Sequence, residues 1–340
     1  MTDNNTLASP LVLGITMGDC NGVGPEILAK ALAQLPSPLP CPIIVFGDAS
    51  LLKSMEIYAP EMPKIYELDT LETFDPKQKG IAVYNAGCTA PPLRPGTLDA
   101  DAGHCAALWI EAAVKAALAG QIQGMITCPV NKEGMLLSGS PYPGHTPLLA
   151  AHSGVSEYHM SLFSKRMRIV HITAHLSMAD AVRAVTQDRV LRAVKAGNTT
   201  LHQLGFDAPR IAVAGLNPHA GEAGAFGHEE QTEIAPAVAI ACEQGIPCVG
   251  PIAPDTVFQR MYNGEFDLVV AMYHDQGHIP FKLVAMDEGV HATLGLPFIR
   301  TSPDHGTAYD IAGQGKARAD SMYAAIKLAL QWARHPVREI

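Results

Sequence analysis

The chain has 340 residues, 48% of them apolar and 17% charged, which is enough for a well-packed globular protein of about two domains. Acidic residues outnumber basic ones, 33 to 24, and no Lys/Arg cluster is present, which argues against a nucleic-acid-binding protein. No apolar run approaches the roughly 20 residues that span a bilayer, and the N-terminus Met-Thr-Asp-Asn-Asn does not resemble a signal peptide. Seven scattered cysteines without a C-x-x-C motif predict free thiols in a reducing, cytoplasmic compartment.

Short β-branched runs alternate along the chain with longer amphipathic segments. The short runs predict buried strands at 11–16, 42–47, 80–84, 124–127, 168–173, 210–216 and 267–272. Apolar residues at helical spacing predict helices at 25–35, 100–119, 187–204, 229–244 and 317–333. Strands followed repeatedly by helices indicate an α/β fold with a largely parallel sheet.

Three of the fourteen histidines follow predicted strands directly: His175, His219 and His274. Ligands of open α/β sheets bind outside the carboxyl ends of the strands, so these imidazoles could converge on one divalent metal ion. The alternative is that each is a capping or core histidine with one satisfied hydrogen bond.

Other segments are candidates for anion or cofactor binding. Lys282 and Arg300 lie in apolar surroundings, where a cation either pairs with a buried acid or binds an anion. Residues 18–26 (Gly-Asp-Cys-Asn-Gly-Val-Gly-Pro-Glu) form a glycine-rich turn that opens a helix and allows a ligand to approach the backbone. Residues 304–315 form a polar, glycine-rich loop of the kind that wraps a cofactor, although a plain surface loop fits as well.

Five motifs in order resemble the 4-hydroxythreonine-4-phosphate dehydrogenase family, over about residues 12–330. They are the turn at 18–26, Gly-His-Thr at 144–146, Leu-Asn-Pro-His-Ala-Gly-Glu at 216–222, Met-Tyr-His-Asp-Gln-Gly at 272–277 and Leu-Gly-Leu-Pro-Phe-Ile-Arg-Thr-Ser at 294–302. Asp-His-Gly-Thr-Ala at 304–308 extends the match. The loop at 305–315 also looks like the cofactor loop of isocitrate and isopropylmalate dehydrogenases.

The resemblance implies the two-domain α/β/α fold of the isocitrate/isopropylmalate dehydrogenase type, with the active site in the interdomain cleft. We expect a cofactor-side domain at 1–128 plus 279–340, and a central domain at 129–278 that carries the metal ligands and the interface of a homodimer. The residues that the resemblance assigns are metal ligands His175, His219 and His274 (the last donated by the neighbouring subunit), substrate contacts His145, Thr146, Lys282, His291 and Arg300, and cofactor contacts His305, Gly306, Asp310 and Gly313.

The activity implied is NAD-dependent, divalent-metal-dependent oxidation and decarboxylation of a phosphorylated hydroxy acid. The first expectation is 4-phosphohydroxy-L-threonine, converted to 3-amino-2-oxopropyl phosphate in pyridoxal phosphate biosynthesis. The family usually has Asn where this chain has His291, Glu where it has Pro147, and Pro-Ala where it has Cys20-Asn21. These departures keep open D-threonate 4-phosphate, D-erythronate 4-phosphate, or a cis-diol carboxylate from aromatic degradation.

The bound metal would lower the pKa of the substrate hydroxyl, and a side chain must accept its proton. Asp255, Asp275 and Lys132 are the candidates for that base. Histidine ligands suit zinc, with magnesium, manganese or cobalt as alternatives. NAD is favoured over NADP because the loop at 304–315 holds no basic residue for a 2′-phosphate. Two other classes remain: a phosphate acyltransferase-like enzyme and a non-catalytic phosphate-ester binder.

Overall fold

The computed structural model describes residues 10–335. The N-terminal Met-Thr-Asp-Asn-Asn segment, which was predicted not to be a signal peptide, lies outside the described residues. The chain forms two compact units. The first unit runs up to His152 and includes His305–Tyr323; the second comprises Ser153–Asp304 and the residues from Ala324 onward. No described helix combines the length and hydrophobicity needed to cross a membrane.

The first unit alternates short strands with helices. Its strands are β1 (Leu13–Thr16), β2 (Ile43–Phe46), β3 (Ile65–Leu68), β4 (Ile81–Tyr84) and β5 (Gly124–Thr127). Its helices are α1 (Gly24–Ala33), α2 (Ala49–Ser54), α3 (Ala100–Leu118), α4 (Lys132–Leu137) and α5 (His145–Ser153), the last ending one residue into the second unit. Asp99 caps α3 by accepting hydrogen bonds from the amides of Asp101 and Ala102.

The strands of the first unit are parallel and lie in the order β3-β4-β2-β1-β5. In β1, β2 and β5 every residue is buried, which explains why these strands read as continuous apolar runs in the sequence. The carboxyl ends of β1 and β5 lead into loops at one edge of this sheet.

The second unit contains more strands than the first. Its strands are β6 (His159–Phe163), β7 (Arg168–His171), β8 (Ile211–Ala214), β9 (Cys248–Ile252), β10 (Leu268–Ala271), β11 (Val290–Leu294) and β12 (Ile299–Pro303). Its helices are α6 (Met178–Arg183), α7 (Gln187–Gln203), α8 (Ala235–Glu243), α9 (Pro254–Tyr262), α10 (His274–Ala285) and α11 (Asp320–Ala333), the last beginning in the first unit.

The second unit's strands lie in the order β12-β11-β6-β7-β10-β8-β9. The pairs from β7 to β9 are parallel, whereas β12-β11, β11-β6 and β6-β7 are antiparallel. A core of buried apolar residues, including Ile169, Val269 and Phe281, packs between this sheet and helices α9 and α10. The mixed α/β fold expected from the sequence is therefore confirmed, with an antiparallel part that the strand pattern did not predict.

Two cysteines correct the expectation that all thiols are free. Cys88 and Cys105 form a disulfide that joins the loop after β4 to α3, with their Cα atoms 5.6 Å apart. The indole of Trp109 holds the same loop, because its Nε1 donates to the carbonyls of Asn85 and Cys88. The two cysteines are 17 positions apart in the sequence, and only the packing of the loop on α3 makes them neighbours. The other five cysteines, Cys20, Cys41, Cys128, Cys242 and Cys248, are not part of a disulfide.

The unit boundaries follow the strand pairing. They fall at 152/153, 304/305 and 323/324, rather than at the 128/129 and 278/279 expected from the sequence, because β11 and β12 pair with β6 and stay with the second unit. The roles that the sequence assigned to the two domains remain predictions.

Candidate functional site

The second unit contains a polar cavity of about 510 Å³. Among its lining residues are His175, His274, His278, Lys282, His291 and Asp304. Four of these were expected at the site from the sequence: two metal-ligand candidates, His175 and His274, and two substrate contacts, Lys282 and His291. The structure therefore brings these four side chains to one place.

Helix α10 supplies one wall of the cavity. It begins at His274, three residues beyond the end of β10, and places His274, His278 and Lys282 at intervals of four residues on one face. The entry into the helix is held by Gln276, whose side chain accepts from the amide of Met272 and donates to the carbonyl of Gly215. The lining residues on this helix are thus fixed relative to β10 and to the chain after β8.

Three histidine rings pack against one another at this wall of the cavity. The rings of His274 and His278 lie parallel, with centroids 3.6 Å apart, and the ring of His171 on β7 lies 4.8 Å from that of His278. The pKa of His171 is lowered to about 3, mainly because the ring is buried and to a smaller extent because the His278 ring repels its positive charge. Burial, followed by repulsion from His274, lowers the pKa of His278 to about 4. Both buried rings are therefore neutral at pH 7.

The three histidines expected to hold a metal do not form one cluster within the chain. The rings of His175 and His274 are 5.9 Å apart, whereas the ring of His219 lies 6.2 Å from that of Phe226. Within residues 10–335, no three His, Cys, Asp or Glu side chains are placed to share a metal ion. Imidazole nitrogens suit a divalent metal ion, but the described residues of one chain do not gather these three histidines into a ligand set.

His219 lies in an unusual left-handed turn. Five consecutive residues, from His219 to Ala223, have φ values between 42° and 79°, and only Gly221 among them is a glycine. L-residues avoid this conformation, so it persists only when the surroundings enforce it. Buried Glu230 fixes the chain that enters this turn, because its carboxylate accepts from the amides of Leu216 and Asn217 and from the side chain of Asn217.

The two expected substrate cations occupy different positions. Lys282 lines the cavity, and its Nζ lies 3.4 Å from a carboxylate oxygen of Asp304. Arg300 is only 3% exposed, and its Nη1 donates to His291 Nδ1 at 2.8 Å and to Thr293 Oγ1 at 3.1 Å. Burial lowers the pKa of Arg300 to about 9, so its guanidinium is still charged at neutral pH.

The three candidate bases are separated. Asp275 lines the histidine cavity and contacts His274 Nδ1 at 2.6 Å. Asp255 lines a second, more apolar cavity of about 570 Å³, which Asp275 also borders. Lys132 is the first residue of α4 in the first unit. Of these three candidate bases, Asp275 is the one that lines the same cavity as His175 and His274.

The expected cofactor residues lie in the first unit, in a loop that packs on the glycine-rich turn. The amide of Val23 donates to the carbonyl of Thr307, and Tyr309 Oη donates to Asp19 Oδ2 at 2.5 Å. Buried Glu26 accepts from the amides of Gly315 and Ala317. Two motifs that looked independent in the sequence are therefore parts of one assembly.

The glycines of this assembly serve chain packing as well as ligand access. A Cβ on Gly18 would lie 2.4 Å from the carbonyl oxygen of Pro129, and one on Gly22 would lie 3.0 Å from Thr307. Gly313, with φ of +72°, packs against Pro95. At Gly306, by contrast, a Cβ would meet no described atom within 4 Å. Gly306 is thus the expected cofactor contact that leaves room for a ligand.

The remaining expected residues are local to the first unit. His305 and Asp310 belong to the same loop as Gly306. His145 and Thr146 begin α5, where Pro147 is tolerated because the first turn of a helix needs no amide donor. A Cβ on Gly144 would lie 3.6 Å from Lys132 Cγ, so Lys132 packs beside the start of α5.

The sequence interpretation did not select His278, which lines the cavity, or His171, which packs against it, and it included Asp304 only as the first residue of the loop at 304–315. The spacing of His274 and His278, four residues apart, was the available signal for a shared helix face. His171 gave no such signal, because it ends a buried strand and meets His278 only through the packing of α10 on β7.

An α/β protein whose cavity combines imidazoles, a lysine and carboxylates beyond the strand ends is typical of enzymes that act on small anionic molecules. The chain belongs to the family of the pyridoxal phosphate biosynthetic protein PdxA, whose model matches residues 39–329. The family expected from the five motifs is thereby confirmed.

Curated relatives that are about 40% identical to the chain carry two kinds of name. The chain is 44% identical over 327 residues to 4-hydroxythreonine-4-phosphate dehydrogenase of Desulfosudis oleivorans, covering 95% of this chain and 96% of the relative. It is 42% identical over 325 residues to D-threonate 4-phosphate dehydrogenase of Salmonella typhimurium, covering 94% and 98%. The crystal structure of 4-hydroxythreonine-4-phosphate dehydrogenase from Klebsiella pneumoniae superposes with a TM-score of 0.82 at 41% identity, covering 96% and 100%.

Proposed function

We propose that this protein is a dehydrogenase that oxidises, with NAD⁺, a four-carbon hydroxy acid bearing a terminal phosphate, and that the product is then decarboxylated. The names of its relatives support a dehydrogenase acting on a phosphorylated hydroxy acid. The names of the relatives at 42% and 44% identity point to two candidate substrates, which differ in the group on C2: 4-phosphohydroxy-L-threonine has an ammonium group there and D-threonate 4-phosphate has a hydroxyl.

The observation that carries the proposal is the cavity that Lys282, His291 and Asp275 line together. Lys282 is the group we assign to the phosphate, because an exposed ammonium already balanced by Asp304 can exchange that partner for a dianion. Binding energy from the phosphate then aligns the reacting carbon at the other groups of the cavity.

Oxidation moves a hydride and a proton from the same alcohol. The hydride leaves the carbinol carbon for the nicotinamide, the hydroxyl proton goes to a base, and the resulting β-keto acid loses CO₂. We assign the base to Asp275, which lines the cavity, rather than to Asp255 or Lys132. His305, Gly306, Asp310 and Gly313 are the proposed cofactor contacts, with Gly306 offering the open approach.

We propose that the active form is a homodimer that requires a divalent metal. His175 and His219 would hold the metal together with the partner subunit's His274; a metal bound there lowers the pKa of the substrate hydroxyl. The proposal of a dimer is supported by helix α10, which starts at His274 and exposes the apolar side chains of Ile279 and Leu283, 66% and 83% exposed respectively.

The test is the formation of NADH by purified protein with added Zn²⁺, Mn²⁺, Mg²⁺ or Co²⁺, and with a chelator as control. The substrates are 4-phosphohydroxy-L-threonine, D-threonate 4-phosphate, D-erythronate 4-phosphate and an unphosphorylated dihydroxy acid. We expect metal-dependent turnover of at least one phosphorylated substrate and none of the unphosphorylated acid. NADH formation unaffected by chelation would remove the metal from the proposal, and no turnover of any phosphorylated acid would refute the function.

A variant of Lys282 tests the phosphate assignment. Lys282→Met should raise KM for the phosphorylated substrate about 10- to 100-fold, the usual loss for one charge-assisted hydrogen bond. The matched control is Lys195→Met on the exposed face of α7, which should leave KM unchanged. An unchanged KM in Lys282→Met would place the phosphate elsewhere.

A further inference from the structure

His291 and Arg300 form a couple on one face of a β-hairpin. In the antiparallel pair of β11 and β12, His291 lies opposite Ser302, so the alternate residues Thr293 and Arg300 share that face. The Arg300 guanidinium contacts His291 Nδ1 and Thr293 Oγ1, and Ser302 Oγ lies 3.5 Å from the same Nδ1. His291 lines the cavity, while Arg300 is buried on the far side of this contact.

The contact with Arg300 determines the tautomer and the protonation state of the His291 imidazole. A guanidinium has only donors, so in the Arg300–His291 bond Nδ1 must be the acceptor. An imidazole that accepts at Nδ1 is neutral and carries its proton on Nε2. A protonated ring is incompatible with this bond, because both ring nitrogens would then be donors beside a buried positive charge.

We propose that His291 is the residue that selects the substrate, by presenting a fixed hydrogen-bond donor to the C2 side of the ligand, and that Arg300 acts through it as a positioning residue. This inference rests on the proposed function, because it concerns the substrate of the same cavity. The ligand that it predicts carries an oxygen at C2, as in a polyhydroxy acid phosphate, and not an ammonium group.

The other polar groups of the cavity support the same choice. Lys282 adds donors only. The two carboxylates that line the cavity already have cationic or ring partners: Asp304 lies beside Lys282 and Asp275 beside His274. A hydroxyl or carboxylate oxygen accepts from His291 without disturbing either pair. An ammonium group faces a donor there and must take a carboxylate from its present partner.

The experiment measures binding, so that it does not depend on turnover. Dissociation constants of D-threonate 4-phosphate and 4-phosphohydroxy-L-threonine are determined by titration calorimetry for the wild-type dimer, for His291→Asn and for His202→Asn, an exposed control on α7. D-erythronate 4-phosphate, a hydroxy acid of different configuration, separates the effect of stereochemistry from that of the C2 group. Asn is chosen because its amide offers an acceptor as well as donors.

We expect the wild type and His202→Asn to bind the hydroxy acid at least about tenfold more tightly than the amino acid. His291→Asn should reduce that preference to less than about threefold. A wild type that binds the amino acid equally well or better, or a His291→Asn variant that keeps the full preference, would overturn the inference.

A second measurement does not depend on ligand binding or on turnover. Imidazole ¹⁵N resonances of uniformly ¹⁵N-histidine-labelled wild type, assigned to His291 by their loss in His291→Asn, report the tautomer directly. The expected spectrum has an unprotonated Nδ1 and a protonated Nε2 at pH 7. The opposite tautomer or a doubly protonated ring would overturn the inference.

The two proposals fail in different ways. Preferential binding of the hydroxy acid without NADH formation would refute the proposed dehydrogenase function and support the inference about His291. NADH formation with the amino acid as the better ligand would do the reverse. The absence of binding of every phosphorylated ligand would refute both.

Discussion

Single buried carboxylates in this protein organise the loops around the candidate site. Glu26 accepts from the amides of Gly315 and Ala317 and from Lys30 Nζ, and so holds the end of the loop at 304–315. Glu230 holds the chain that enters the left-handed turn at His219 in the same manner. A buried carboxylate is stable only when its oxygens are hydrogen-bonded, so each of these loops has one conformation that satisfies it.

Asp267 provides a prediction about pH. Burial raises the pKa of its carboxyl, but the hydrogen bonds from the side chain and amide of Arg210 outweigh burial, and the net pKa is lowered. A carboxyl with a lowered pKa in the folded state stabilises the fold above its unfolded pKa of about 4, and this contribution is lost as the pH falls through the folded value. Asp267→Asn should therefore cost about 1 kcal/mol at pH 7, since Arg210 is partly exposed and its bonds are screened.

The measurement is urea unfolding of wild type and Asp267→Asn at pH 7 and pH 3. The difference in free energy of unfolding should be clearly smaller at pH 3. Glu265→Gln, from an exposed pair with Arg260, is the control and should show a smaller loss at pH 7. A difference that is the same at both pH values would mean that the charge on Asp267 does not stabilise the fold.

Helix α10 supplies much of the cavity lining, and the helix packs in close contact with β7. A Cβ on Gly277 would lie 2.4 Å from His171 Nε2 and 2.8 Å from Ile169 Cγ2. The absence of a side chain at this position therefore lets the helix approach the strand. That approach brings His278 into contact with His171 and leaves His274 and Lys282 on the cavity.

Gly277→Ala should displace α10 from β7. We expect a loss of about 1–3 kcal/mol in the free energy of unfolding, the usual cost of overpacking a buried contact, together with weaker binding of the phosphorylated substrate. Gly134→Ala in α4 is the matched control, since a Cβ there would lie 3.4 Å from its nearest neighbour, an ordinary distance, and alanine favours the helix. Gly277→Ala with wild-type stability would show that the helix is not held by this contact.

At the level of the whole molecule, the exposed side of α10 is the main observation for assembly. Ile279, Leu283, Val284 and Met286 are exposed apolar residues within one short stretch of the second unit. Such a patch is unusual on a monomer and is typical of a surface that a second subunit covers. Because the same helix begins at His274, the proposed dimer interface and the proposed site share one element.

Leu283→Asp should convert the proposed dimer into a monomer, because a carboxylate in a buried apolar interface has no partner to compensate its desolvation. Sedimentation equilibrium or light scattering on a size-exclusion column gives the mass directly. Ile57→Asp, at a similarly exposed apolar residue of the first unit, should leave the dimer intact. A wild type that is monomeric, or a Leu283→Asp variant that remains dimeric, would contradict the proposed interface.

The elements that the sequence predicted well are those with a strong local pattern. Strands β1, β2 and β5 and helices α3 and α7 lie within two residues of their predicted bounds, because continuous apolar runs and helical spacing are properties of neighbouring residues. Helix α10 was missed, since Gly277 and Pro280 interrupt the helical pattern. Strands β11 and β12 were missed because polar residues such as His291 and Arg300 replace the expected apolar alternation.

The sequence by itself determined the α/β class, the family and the identity of most residues at the cavity, because these depend on local pattern and on motifs. Only the tertiary structure decided which of those residues meet. It joined Cys88 to Cys105, packed the end of the loop at 304–315 on Glu26, left His175, His219 and His274 without a common cluster among the described residues, and placed Arg300 behind His291. Each of these outcomes depends on strand register and helix packing between residues distant in the chain, and that information is not contained in any single motif.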